Sequence, residues 1–320
     1  MLRRRDVLAL SLLPFAPSGL ACSKGQAADG ALALALDWFP EPEHGGFYAA
    51  QVAGDYAAAG LAVEILAGRP DAPVIAQVAA GRVAFGISDA SAILAARAQQ
   101  VPIVAVFAAM QQNPRCILVH ADGPGSLAEL RDTTLAMNVR EPFSQFLQQK
   151  LGLPGVSVVP YAGNVAPFLA DPNFAQQAYV FSEPIVVERQ GVAARCLLVA
   201  DLGFDPYAGV VITSERMITE QPERVRSFVA AVTTGWERYL RDPAPAHAEI
   251  HAQNPEMTLE TLTRSAAALA PLVAVDGGGR PGTMNTARWL TLHQQLSELG
   301  VYPAAAVDPT QAFTTAFLPA

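Results

Sequence analysis

Residues 31–112 alternate short apolar runs with stretches of helical periodicity. Ala31 to Leu36 is an apolar run, followed by Pro40 and Pro42. It predicts a buried strand that ends in a stiff loop, because each proline fixes its own φ and restricts the residue before it. Gly45-Gly46 then leads into a helical stretch that closes at Gly60, where a C-cap glycine is expected. Leu61 to Leu66 reads as a strand, Val74 to Ala80 as a helix closed by Gly81, and Val83 to Ile87 as a buried strand. Ala92 to Gln100 is helical and Val101 to Ala109 is an apolar strand. This alternation predicts a parallel sheet covered by helices on both faces.

A second set of elements begins after Gln111-Gln112-Asn113-Pro114. Its expected strands are Cys116 to His120, Thr134 to Val139, Val156 to Pro160, Ala178 to Phe181, Leu197 to Ala200 and Val210 to Thr213. Its expected helices are Pro142 to Lys150, Val165 to Phe174 and a stretch from Val186. From Thr219 the pattern is helical to Leu299. The expectation is an α/β protein of two lobes, each a mostly parallel sheet flanked by helices. Residues 29–112 with about 241–320 form the first lobe, and 113–240 the second. A small ligand belongs in the cleft between lobes, at the carboxyl ends of strands.

Composition narrows the function. The 320 residues are 51% hydrophobic and 16% charged, which allows large cores. The formal charge is −8. Loss of residues 1–21 removes three arginines and one aspartate and leaves −10. Such a surface repels phosphates and argues against nucleic acid. Residues 1–28 read as an export signal: Arg3-Arg4-Arg5 precedes an apolar run, Val7 to Ala16, too short to span a bilayer as a helix. Arg4-Arg5-Asp6-Val7-Leu8 resembles a twin-arginine signal. Leu20-Ala21-Cys22-Ser23 resembles a lipoprotein cleavage box, in which Cys22 would carry the lipid. Cleavage near Gln26-Ala27-Ala28 is the rival. The mature protein is expected outside the cytoplasmic membrane, in the periplasm, with lipid on Cys22 as its one membrane attachment.

Cys116 and Cys196 lie in apolar strand-like runs and read as buried free thiols. No Cys/His spacing suits a metal. His247 and His251, four residues apart, read as a solvated helix face. No Ser/His/Asp arrangement or glycine-rich phosphate loop supports catalysis.

Leu36-Asp37-Trp38-Phe39-Pro40-Glu41-Pro42-Glu43-His44-Gly45-Gly46-Phe47-Tyr48-Ala49-Ala50 resembles the first motif of the substrate-binding proteins of ABC importers that take up thiamine pyrimidine precursors. Gly81-Arg82-Val83-Ala84-Phe85-Gly86, Gly163-Asn164-Val165-Ala166 and Ser182-Glu183-Pro184 continue the resemblance. It implies a type II periplasmic-binding-protein fold, a small-molecule ligand, a membrane permease as partner, a monomer, and neither cofactor nor catalysis. The related pyrimidine-synthase branch carries a lysine where this chain has Ser88, a sacrificial histidine where it has Ala92, and a cysteine-rich run in place of Gly203 to Tyr207. Their absence favours a binder, since Ser88 offers no amine for a Schiff base.

An aminopyrimidine needs stacking walls and a polar edge partner. Trp38 and Phe39 are candidate walls, with Tyr48 or Tyr207 opposite; core plugs are the alternative. Glu183 is the candidate in-plane carboxylate, against a surface acid before a proline. Asn164, Ser88, Asp89 and Ser91 are candidate polar contacts, against plain helix capping. His44 is a candidate donor to a formyl carbonyl, against a structural histidine. An alkylsulfonate, nitrate or a flavin remains as an alternative ligand.

Overall fold

The computed structural model describes residues 30–69, 72–274 and 279–319. The export signal and Cys22 lie outside these residues. The strands are β1 (Leu32–Ala35), β2 (Val63–Leu66), β3 (Phe85–Ser88), β4 (Ile103–Met110), β5 (Arg115–His120), β6 (Thr134–Ala136), β7 (Ser157–Val159), β8 (Phe174–Tyr179), β9 (Ala194–Leu198) and β10 (Ala208–Ser214). The α-helices are α1 (Gly45–Val52), α2 (Asp55–Ala58), α3 (Val74–Ala79), α4 (Ala90–Ala98), α5 (Pro142–Leu151), α6 (Ala166–Ala170), α7 (Glu183–Arg189), α8 (Glu215–Glu220), α9 (Pro222–Arg241), α10 (Ala244–Gln253), α11 (Leu259–Val273) and α12 (Thr286–Glu298).

Two five-stranded sheets result, ordered β2-β1-β3-β10-β4 and β7-β6-β8-β5-β9. In each, four strands run one way and one opposes them: β10 in the first, β5 in the second. Every residue of β1, β3 and β4 is buried. Cover on both faces is why these strands read as unbroken apolar runs rather than alternating ones. This is the two-lobed α/β architecture expected from the pattern.

The chain returns to the first sheet at Ala208, not near residue 241, because β10 inserts between β3 and β4. Val210, Val211 and Ile212 are fully buried there. An apolar run shows that a strand is covered on both faces; it does not show which sheet covers it. α9 then packs against α1 rather than closing the second lobe. α6 also ends earlier than the expected helix Val165 to Phe174, because Pro172 disfavours helical geometry in the residue before it. β8 starts at Phe174, four residues before the expected strand, and includes Gln176 and Gln177. Gln177 Oε1 accepts from the Asn138 N–H at 2.7 Å, a partner that made a polar strand residue affordable but invisible in sequence.

His247 departs from the expected solvated face. It is buried, with Nε2 3.1 Å from the Tyr239 hydroxyl. Both cysteines are free; Cys116 is buried, and its thiol is pushed well above its ordinary pKa by that burial.

α1 matters because it anchors the loop after β1. Gly45 and Gly46 lie against Tyr239 and Trp236 of α9: a Cβ on either would fall 2.1–2.2 Å from a ring atom. On the other side of this crossing, a Cβ on Gly235 would lie 2.2 Å from the Gly46 carbonyl oxygen. Three glycines thus let two helices approach backbone to backbone and hold residues 36–44 in place.

Candidate functional site

The loop leaving β1 is held at several points. The Gly68 N–H donates to the Trp38 carbonyl at 3.0 Å. A Cβ on Gly68 would lie 2.4 Å from the Leu36 carbonyl oxygen, so only glycine fits beneath the loop. Asn254 Nδ2 donates to the Pro40 carbonyl at 3.0 Å. Pro42–His44 forms a 3-10 turn, and His44 Nδ1 accepts the Glu41 N–H at 3.4 Å. The two aromatics project from this rigid loop at right angles, with centroids 5.5 Å apart and planes at 77°. Trp38 is 39% and Phe39 44% exposed, which removes the core-plug reading for both.

His44 is buried, with Nε2 3.2 Å from Asp37 Oδ1 and 3.9 Å from Glu43 Oε1. One ligand atom from each of these three residues lies within 4.8 Å of the others, a spacing that a metal ion could use. The hydrogen bonding does not suit it. Nδ1 is the acceptor from Glu41, so Nε2 carries the proton and donates to Asp37.

Asp89 caps α4, accepting the Ala92 N–H at 3.0 Å. Burial raises its carboxyl pKa. Ser88 lies beside it at the end of β3, and Ser91 is buried in the first turn of α4.

From the second lobe comes Arg115, which the sequence reading did not select. Its guanidinium sits between Phe143 and Tyr179, 4.7 Å and 4.3 Å from their ring centroids. Nη2 donates to Glu141 Oε2 at 3.0 Å and to the Tyr179 hydroxyl at 3.1 Å. Burial alone would lower its pKa, but Tyr179, Glu141, Glu183 and Asp89 outweigh that and raise it. Glu183, at the start of α7, accepts from the Tyr161 hydroxyl and from the Tyr179 N–H, both at 2.8 Å. Tyr179 therefore links the arginine to the carboxylate.

The two lobes thus bring Glu43, Asp89, Glu141 and Glu183 to one guanidinium, with Asp37 and Glu41 acting on Glu43 behind them. Glu43 is raised well above the usual carboxylate range by burial and then by Asp37 and Glu41. Burial, with Glu183 facing it from the second lobe, pushes Glu41 up to about 7, partly offset by a hydrogen bond from Trp38. The folded protein therefore holds a proton on Glu41 that the unfolded chain releases at its ordinary value of 4.5. Stability from this group is present at low pH and falls as pH rises from about 4.5 to about 7, by at most on the order of 3 kcal/mol. Glu41→Gln is expected to reduce the fall in melting temperature between pH 5 and pH 8. It should not abolish the slope, because Glu43 and Asp89 shift in the same direction. An unchanged slope would show that Glu41 titrates normally.

Asp37, Glu43, His44, Ser88, Asp89 and Tyr179 line a narrow cavity of about 40 Å³ beside the crossings between sheets. That volume is smaller than a heterocycle. The crossings are residues 111–114 and 203–207. They are tied together by the Asn113 N–H to Asp205 Oδ1 at 2.7 Å and by Asn113 Nδ2 to the Pro206 carbonyl at 2.9 Å. At the other edge α7 meets α11 through Arg189 Nη1 and Thr261 Oγ1 at 2.7 Å.

Three expected contacts lie elsewhere. Tyr48 is buried under α10, its hydroxyl donating to Gln253 Oε1 at 2.9 Å. Tyr207 is buried beside Trp289, with the Arg288 guanidinium 4.0 Å from its centroid. Neither can serve as a second stacking wall. The Tyr48 hydroxyl is taken by Gln253, and the Tyr207 hydroxyl accepts the Asn285 N–H at 3.1 Å, roles indistinguishable from ligand contact in sequence. Asn164 is exposed and accepts the Ala166 N–H at 3.0 Å, a turn just ahead of α6, whose N-cap is Val165 rather than Asn164.

The family model described as NMT1/THI5 like matches residues 41–246. The riboflavin-binding protein RibY of Chloroflexus aurantiacus is 28% identical over 325 residues, spanning 95% of this chain and 90% of that protein. A formylaminopyrimidine-binding protein of Halalkalibacterium halodurans is 23% identical over 220 residues, spanning 66% of this chain and 67% of that protein. Among solved structures, the periplasmic aliphatic sulphonate binding protein SsuA from Escherichia coli shares the fold. Its TM-score is 0.66 at 15% identity, covering 88% of this chain and 91% of that one.

Proposed function

This chain belongs to the NMT1/THI5-like family, and on that premise we propose that it is the extracytoplasmic solute-binding component of an ABC importer. Its ligand in this reading is a planar nitrogen heterocycle, uncharged or protonated, such as a formylated aminomethyl-aminopyrimidine. The observation that carries this reading is the crevice electrostatics. Four carboxyl groups, Glu43, Asp89, Glu141 and Glu183, act on the Arg115 guanidinium, whose Nη2 is engaged by Glu141 and Tyr179. An amine or ring N–H finds acceptors among these carboxyl groups, whereas a sulfonate or nitrate would have to compete with Glu141 for the guanidinium. Trp38 and Phe39, exposed on the loop after β1, offer flat apolar faces to a ring.

In this reading the lobes part at residues 111–114 and 203–207, admit the solute, and close on it. A permease in the membrane receives it, and the chain itself carries out no reaction. Among the described residues no helix is long and apolar enough to cross a membrane. Attachment would then fall to lipid on Cys22. A flavin is the second reading, favoured by the 28% identity to RibY over 95% of the chain.

Titration calorimetry tests the proposal with a formylated aminopyrimidine, riboflavin and an alkanesulfonate. Binding of either heterocycle is expected, and Trp38→Ala should weaken it about tenfold or more, the stacking term plus lost apolar burial. Heat from the sulfonate alone would reject the heterocycle reading and keep the receptor class.

A further inference from the structure

A larger, open groove of about 550 Å³ continues from the crevice along the first lobe. It shares Asp37, Ser88 and Asp89 with the crevice cavity. Beyond them it runs between the start of α3 and the outer face of α4, reaching Gln99 and Val101. At helical rise, the distance from Asp89 to Gln99 is about 15 Å. The walls change character along that length. Carboxylates line the crevice end, and the middle is apolar, with Val74, Ile75 and three alanines of α4. The uncharged Gln99 stands at the far end.

Two features make this more than a gap between helices. Ile93 and Leu94 of α4 point into the core and are fully buried, while Ala92, Ala95 and Ala96 present single methyl groups to the groove. The helix is thus anchored on one side and cut back on the other. At the junction, Ser88 is only 9% exposed and lines both cavities. Its hydroxyl has no hydrogen-bond partner among the described residues. That hydroxyl faces the open groove, where a polar group of a ligand can take the place of water.

We propose that this groove is a second subsite, which takes an uncharged, mainly aliphatic chain of up to about 15 Å carried by the head group held in the crevice. The ligand class is then a nitrogen heterocycle or amine with an uncharged tail, rather than a bare ring. Ser88 meets the point of attachment, and the methyl faces of α4 give the tail apolar surface. The inference rests on the reading of the crevice as the ligand site.

A homologous series of n-alkylammonium ions, methyl to octyl, tests it by calorimetry on the mature protein. The ammonium supplies the head for Asp37 and Asp89, and the chain alone varies. Affinity is expected to rise about threefold per methylene as apolar surface leaves water. Ala95→Leu, which fills the groove, should bring octylammonium down to the affinity of methylammonium. An affinity independent of chain length, a rise that survives Ala95→Leu, or no binding of octylammonium would each overturn the subsite. The aminopyrimidine and riboflavin titrations read the crevice separately. Their failure beside an intact chain-length series would remove the heterocycle reading and leave the groove standing.

Discussion

Arg115→Met is expected to destabilise the protein by about 2 kcal/mol, less than a fully buried pair because Arg115 and Glu141 are part-exposed, read as a lower denaturant midpoint at pH 7. The methionine preserves much of the packing between Phe143 and Tyr179. What it removes is the cation. Glu141 loses its ion-pair partner, and Asp89 and Glu183 lose a positive charge that acts on both. Buried carboxyl groups left this way take up protons, so the deficit should shrink as pH is lowered to 5. Arg115→Lys separates charge from shape, since it keeps the charge but cannot lie as a plane between two rings. An intermediate loss is expected for it. A Met variant as stable as the wild type at pH 7 would mean that the carboxyl groups are already neutral or hydrated, and the electrostatic account of the crevice would fail with it.

Gly235→Ala is the second large effect, and it acts far from any charge. Its new Cβ would lie 2.2 Å from the Gly46 carbonyl oxygen, 2.6 Å from the Ala50 Cβ and 2.9 Å from the Ala50 N. Two of these atoms are backbone, so no rotamer change relieves the clash and α1 must move away from α9. Alanine would normally stabilise a helix interior relative to glycine by about 1 kcal/mol. Here overpacking should win and cost about 3 kcal/mol, a fall of about 5 °C in melting temperature for a chain of this size. Because α1 begins where the loop carrying Asp37, Trp38 and His44 ends, heterocycle affinity should fall as well. A melting temperature equal to or above that of the wild type would show that the helices are not in backbone contact.

Much of the site was legible in residues 36–48. Two prolines, two acids, a histidine and adjacent aromatics at the end of an apolar run announce a stiff loop with a task. The structure presents Trp38 and Phe39 at its surface and sets His44 against Asp37. Asp37, Glu41 and Glu43 were within that motif, yet nothing in a linear reading distinguishes a carboxylate facing a crevice from one facing solvent. The signal for Arg115 was fainter still: an arginine directly after Asn113-Pro114, at the start of an apolar strand. Its meaning depends on Glu141, Tyr179 and Glu183, which lie 26 to 68 positions further along.

The order of elements, the two-sheet class and the stiff loop follow from the sequence alone. Each depends on local physics: alternation of apolar runs, helical periodicity, and the restricted backbone of proline and freedom of glycine. Only the tertiary structure decides that β10 belongs to the first sheet, that Tyr48 and Tyr207 are core, and that four acids from both lobes act on one arginine. Those outcomes depend on which distant surfaces meet, and on the burial that raises a carboxyl pKa, quantities that spacing along a chain does not encode.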